Sequence, residues 1–278
     1  MKSYFFKKIL QNEGWLDNVT IEVDDTGRIS QFEPNALENK KSVINGFALP
    51  GFQNAHSHAF QYAMAGLAEV HDTSNKSDNF WSWREAMYRL ALSVNPDQIE
   101  AIATQLYCEM VRHGYTNVAE FHYIHHDKNG KPYNNLAEMG SRMVAAAKTT
   151  GINITLIPIF YQKGGFGKDP LEGQKRFISS TADDYLKLLE SSEKACSHYS
   201  GANIALGIHS MRGVDATAIL ELARSGPQDI PFHIHIAEQL KEIEDCTTYL
   251  SRRPVEWLLE NINVTDRFHL VHATHLPL

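Results

Sequence analysis

The 278 residues offer no disulfide framework, no paired-cysteine metal motif and no membrane-length apolar run. Cysteine is scarce: Cys108, Cys196 and Cys246 are odd in number and far apart, so they read as reduced thiols of a cytosolic protein. The start, Met1 to Lys8, is too short and too charged for a secretory signal. Basic charge is in deficit, 26 Lys and Arg against 33 Asp and Glu for a net charge of -7, which argues against nucleic acid and anionic membrane as partners. With 43% hydrophobic and 21% charged residues, the chain reads as one large globular domain, alone or with a small second one. Histidine is what it has in excess. There are 14, many at the ends of expected strands.

The organising stretch is Leu49-Pro50-Gly51-Phe52-Gln53-Asn54-Ala55-His56-Ser57-His58. An apolar run leads in from Val43, Pro50 and Gly51 bend the backbone, and two histidines follow with one residue between them. On an extended strand His56 and His58 point to the same side. Neutral imidazoles so placed suit zinc and similar ions. The alternative is two surface histidines beside a turn.

Before this stretch, residues 1–48 read as part of a small antiparallel β-domain, with Val19–Val23 and Arg28–Phe32 alternating around a turn at Asp25-Thr26-Gly27. After it, Glu69 to Asn79 reads as a loop. Phe80-Trp81-Ser82-Trp83-Arg84 reads either as a helix start or as a cover for a substrate. From Asn95-Pro96-Asp97, a cap followed by proline and an acid, helices and strands alternate. Strands are expected at Tyr115–Tyr123, Ile152–Tyr161, Ile204–Ser210, Pro231–Ala237 and Phe268–His272, with Asn135 capping one of the intervening helices. Such alternation gives parallel strands with crossover helices. With the strand at His56 there are six β units, and ionisable residues crowd their C-terminal ends, the active-site face of a (β/α)8 barrel. The expected fold is therefore α/β, a TIM-type barrel over residues 49–278 that lacks two of its eight units. The chain reads as C-terminally truncated, an open six-stranded arc with His272 near one edge, inactive alone and prone to associate through its strand edges.

His235 could join His56 and His58 around one ion, three imidazoles that leave a position for water and lower its pKa. His233 shares the face of His235 one layer deeper. Glu238, three residues past His235, can move a proton between water and a leaving group, or can be an ordinary acid in the first turn of a helix. His272 can polarise substrate or be a core histidine. Arg84 and Arg212 follow apolar runs and can grip carboxylates in bidentate fashion, or lie on the surface.

The motifs His56-Ser57-His58-Ala59-Phe60-Gln61, Phe80-Trp81-Ser82-Trp83-Arg84-Glu85, Ala119-Glu120-Phe121-His122-Tyr123, His233-Ile234-His235-Ile236-Ala237-Glu238 and Leu270-Val271-His272-Ala273-Thr274-His275 resemble the formimidoylglutamate deiminases of the amidohydrolase superfamily. The resemblance implies hydrolysis of N-formimino-L-glutamate to N-formyl-L-glutamate and ammonia in histidine degradation. It implies one zinc on His56, His58 and His235 and catalysis by Glu238 and His272. Gln61, Arg84, Tyr123, His209 and Arg212 would bind substrate. The family's further ligand, an aspartate after the eighth strand, has no counterpart in these residues. A small-molecule enzyme of the cytoplasm, free of nucleic acid and membrane and compatible with a homodimer, is the overall expectation. A deaminase of a nucleobase or another small amidine in the same superfamily, and a non-catalytic binding protein, are the rivals.

Overall fold

The computed structural model describes residues 1–38, 42–67 and 80–276, without the side chains of residues 80 and 81. The loop expected over Glu69–Asn79 lies outside the described residues. The chain divides into two compact units, Met1–Phe52 and Gln53–Leu278.

The first unit is a four-stranded sheet of β1 (Lys2–Gln11), β2 (Gly14–Val23), β3 (Ile29–Glu33) and β4 (Val43–Ala48) in the order β3-β2-β1-β4. β1 and β2 form a hairpin closing at Gln11 and Gly14. The next turn is built on Asp24, whose carboxylate accepts from the backbone of Thr26 and Arg28 and from the Thr26 hydroxyl. Those bonds hold its carboxyl below the usual range. Phe5, Ile9 and Val19 are the buried apolar residues of these strands, and β3 is exposed throughout.

The second unit carries β5 (Phe52–Ser57), α1 (Phe80–Ser93), α2 (Pro96–Arg112), β6 (Tyr115–His122), α3 (Glu138–Thr150), β7 (Asn153–Phe160), α4 (Ala182–Cys196), β8 (Ala202–Ile204), β9 (Leu206–Ser210), α5 (Ala216–Ser225), β10 (Phe232–Ile236), α6 (Leu240–Leu250), α7 (Pro254–Asn261) and β11 (Phe268–His272). The strand order is β11-β10-β9-β7-β6-β5, with β8 alongside β7. The pairings from β6 to β11 are parallel. β10 is buried at every position and β7 at nearly all, as strands covered on both faces must be. The result is an incomplete TIM-type α/β barrel whose strand path ends at β5 and β11.

Local sequence accounts for most element ends. Asn95 and Gln98 form a reciprocal capping box at the start of α2, with Pro96 in its first turn. Asn135 does not cap α3: its side chain accepts from Ala137 N at 3.1 Å and closes a turn ahead of a helix that starts at Glu138. The single strand expected over Ile204–Ser210 is interrupted. β8 pairs with Ile154–Leu156 and β9 with Ile159 and Phe160. The register puts the intervening Ala205 across from Ile157 and next to Pro158, which has no N–H to give the ladder. Among the described residues no helix is long and apolar enough to cross a membrane.

Candidate active site

His56 lies in β5 and His58 follows its last residue, while His235 lies in β10. Their Nε2 atoms converge, His56 to His58 at 3.0 Å and His56 to His235 at 3.0 Å. His58 Nδ1 donates to the Phe121 carbonyl at 2.9 Å, which leaves its Nε2 as a bare lone pair. The Phe121 ring stacks on His235, centroids 4.1 Å apart. Burial drives all three imidazoles towards the neutral form: His56 is lowered to about 4, with His272 adding to the effect, and His58 to about 3, with His56 adding to it. His235 is lowered well below its usual value by burial and then by His58. Neutral nitrogen lone pairs aimed at one point repel each other unless a cation sits between them. Nitrogens around a tetrahedral zinc lie about 3.3 Å apart at Zn–N bonds of about 2.0–2.1 Å, close to the spacing here, so the residues fit such an ion. They form the one cluster of possible metal ligands within 4.8 Å of each other among the described residues.

Two buried glutamates hold the turns that carry this cluster. Glu120 on β6, 1% exposed, accepts from Ala59 N at 2.6 Å and from the Tyr107 hydroxyl at 3.0 Å. Burial pushes its carboxyl up to about 7 against the pull of those bonds and of the Ser57 hydroxyl. Glu242 on α6 accepts from Ala237 N and Glu238 N.

Glu238 lies two residues past the end of β10. Its Oε1 is 3.9 Å from Nε2 of His272, ion-pair range but too long for a hydrogen bond. His272 ends β11 in the left-handed region at φ 71°, and its ring lies 5.1 Å from that of His235. His233 is buried one layer down, stacked on His269 at 4.3 Å.

Ten residues singled out from the sequence border one cleft: His56, His58, His235, Glu238, His272, Gln61, Arg84, Tyr123, His209 and Arg212. Arg84 comes from α1. Arg212 sits in the tight turn after β9, closed by Gly213 N to Ser210 O at 3.0 Å. A Cβ at Gly213 would meet His209 Nδ1 at 3.0 Å and the Tyr161 ring at 3.2 Å, so a glycine lets the turn lie against both rings. Nη1 of Arg212 is buried without a hydrogen-bond partner among the described residues. His209 packs on Tyr161 at 4.0 Å and is kept neutral by burial and then by Arg212. Gln61 donates to the Tyr123 hydroxyl at 2.9 Å, and burial raises the Tyr123 phenol well above its usual value.

Sequence reasoning missed part of this lining. Met87, Tyr88, Tyr161 and Phe177 also border the cleft, beside the Trp83 of the stretch read as a possible substrate cover, and Gln174 ties Tyr88 and Tyr161 together through their hydroxyls at 3.0 and 2.8 Å. Gln174 lies in the loop expected over Gln162–Ser180, where no periodicity marks it. Glu120 did carry a signal, an acid inside an apolar strand.

The sequence profile of the amidohydrolase family matches residues 47–277. The formimidoylglutamate deiminase of Pseudomonas aeruginosa (strain PAO1) is 46% identical over 276 residues, covering 99% of this chain and 60% of that protein. The crystal structure of an amidohydrolase from Brucella melitensis superposes with a TM-score of 0.92 at 42% identity, over 100% of this chain and 61% of that one. A zinc-bound adenosine deaminase from Xanthomonas campestris, at a TM-score of 0.73 and 18% identity over 99% of this chain and 58% of that one, shares the fold. The chain thus spans about three fifths of the length of the relatives it matches.

Proposed function

Given that this chain belongs to the amidohydrolase family, we propose that it carries the active site of a cytoplasmic formimidoylglutamate deiminase of histidine degradation, which converts N-formimino-L-glutamate and water to N-formyl-L-glutamate and ammonia. The observation that supports this best is the make-up of the cleft, lined by the histidine cluster and Glu238 and also by Arg84 and Arg212, the two arginines bordering in addition a second hollow that none of those histidines lines. The substrate has matching groups, an amidine-like carbon at one end and two carboxylates at the other. An uncharged base needs no such pair of cations.

His56, His58 and His235 would hold one zinc, which when bound lowers the pKa of water towards 7 and polarises the bond under attack. Glu238 takes a proton from the attacking water and delivers it to the departing nitrogen. His272 stands beside the Glu238 carboxylate and steadies the charge that develops on the tetrahedral carbon's substituents. Arg84 and Arg212 clamp the carboxylates in bidentate fashion. Gln61, Tyr123 and His209 line the same cleft and orient the substrate.

The test is ammonia release from N-formimino-L-glutamate and, separately, from adenosine by a zinc-loaded chain of the relatives' full length that carries these residues, with metal content measured on the same samples. Release from the dicarboxylate alone is expected, with one metal per chain. Release from adenosine alone, or from neither, would overturn the reading.

A further inference from the structure

Glu242 stands at the third position of α6, where a glutamate ordinarily reaches back to the N–H of the residue that caps the helix. Here the carboxylate passes that residue, Gln239, and accepts from Ala237 N at 3.2 Å and Glu238 N at 3.0 Å. An acid at a helix start normally lies in water, yet Glu242 is 2% exposed. The turn it holds is an uncommon one. Ala237 has φ 52°, a conformation that a residue with a Cβ keeps only when its surroundings impose it. That turn redirects the chain from β10 and sets Glu238 at the cleft. Burial pushes the Glu242 carboxyl up, and the charge of Arg212 counters that push. An ionised carboxylate makes the stronger bonds to both N–H groups.

We infer that Glu242 is a positioning residue which, through the N–H groups of Ala237 and Glu238, fixes where the Glu238 carboxylate stands, without touching substrate itself. The inference rests on the role proposed above for Glu238. A helix cap would stabilise α6 and leave turnover per folded molecule unchanged, whereas a positioning residue acts on kcat.

Two measurements test this on the zinc-loaded protein. Glu242→Gln keeps the volume but loses the charge and turns an amide towards one of the two donors. It should lower kcat by about 10- to 100-fold, the cost of misplacing a catalytic group by a fraction of an ångström to an ångström, with KM changed by less than about threefold. In a Glu238→Gln background the same substitution should remove nothing further. An unchanged kcat, or losses that multiply in the double variant, would overturn the inference. The second measurement needs no turnover. Amide hydrogen exchange at Ala237 and Glu238 should quicken at least about 10-fold in Glu242→Ala, and in Glu242→Gln if the alanine variant does not fold, while Ile234 and Ile236 keep their protection. If the unsubstituted protein releases no ammonia, the proposed function falls and this exchange alone decides Glu242. Unchanged exchange at both amides would overturn its role.

Discussion

The two ends of the cleft are built differently. The histidine end stands on strands: His56 on β5, His235 on β10, His272 at the tip of β11 and Phe121 on β6. Burial holds His56, His58 and His235 towards the neutral form, and the Phe121 carbonyl on the neighbouring strand fixes the His58 ring. The arginine end comes from α1, from the turn after β9, which a backbone bond from Gly213 N to Ser210 O closes, and from the loop that follows β7, where Gln174 joins the side chains of Tyr88 and Tyr161. Its cations are guanidinium groups, which present their N–H donors in a fixed planar fork. Bond making needs atoms held to a fraction of an ångström, which strands provide. Recognition of a carboxylate tolerates longer side chains on loops.

The contrast can be broken most severely at the histidine end. Glu238→Gln should cut turnover by roughly two to four orders of magnitude with substrate binding largely kept. Steady-state ammonia release measures this, and near-normal turnover would end the proton-transfer role. At the arginine end, Arg212→Met and Arg84→Met should each weaken binding of N-formimino-L-glutamate by roughly 2–5 kcal/mol. The readout is KM together with calorimetric binding of N-formyl-L-glutamate, and unchanged values in both variants would favour an uncharged substrate.

Backbone fixation is probed through Glu120. Glu120→Ala frees the turn after His58 and should weaken zinc binding by about 10- to 100-fold in a calorimetric titration. Equal affinity would reduce Glu120 to a core residue.

The smallest effect concerns burial as the means of neutrality. His122, 1% exposed on β6, is lowered to about 3, mainly by burial and then by Arg176. Its folded value lies below the unfolded one, so the unfolded chain takes the proton first. Its share of stability is complete above pH 6.5 and is lost as pH falls towards 3. By pH 5.5 the loss is about 1.4 kcal/mol, and urea unfolding of His122→Gln should show a correspondingly flatter pH dependence between 7 and 5.5. Glu120, raised to about 7, works with the opposite sign: its share is complete below pH 4.5 and is lost as pH rises through 7.

The histidine end was the more legible in sequence because strands impose a period of two that survives in the primary structure. His56 and His58 announce themselves by spacing, and His233 and His235 likewise. Arg84 and Arg212 could be marked as candidates only by their place after apolar runs and by family resemblance. Gln174 could not be marked at all, since its two partners, Tyr88 and Tyr161, are 86 and 13 residues away. The break at Ala205 was equally invisible from its own neighbourhood, because its cause, Pro158, sits on another strand.

By itself the sequence determined the order and kind of the elements, the parallel alternation that brings strand ends to one face, and the chemical types gathered there. These depend on periodicity, caps and turn residues within a few positions of one another. Only the tertiary structure decided which histidines meet within 3.0 Å, and which carboxylates leave water to hold a turn, as Glu120 and Glu242 do. The energy of a buried charge and the direction of an imidazole lone pair depend on atoms contributed from far along the chain, and such contributions have no local trace.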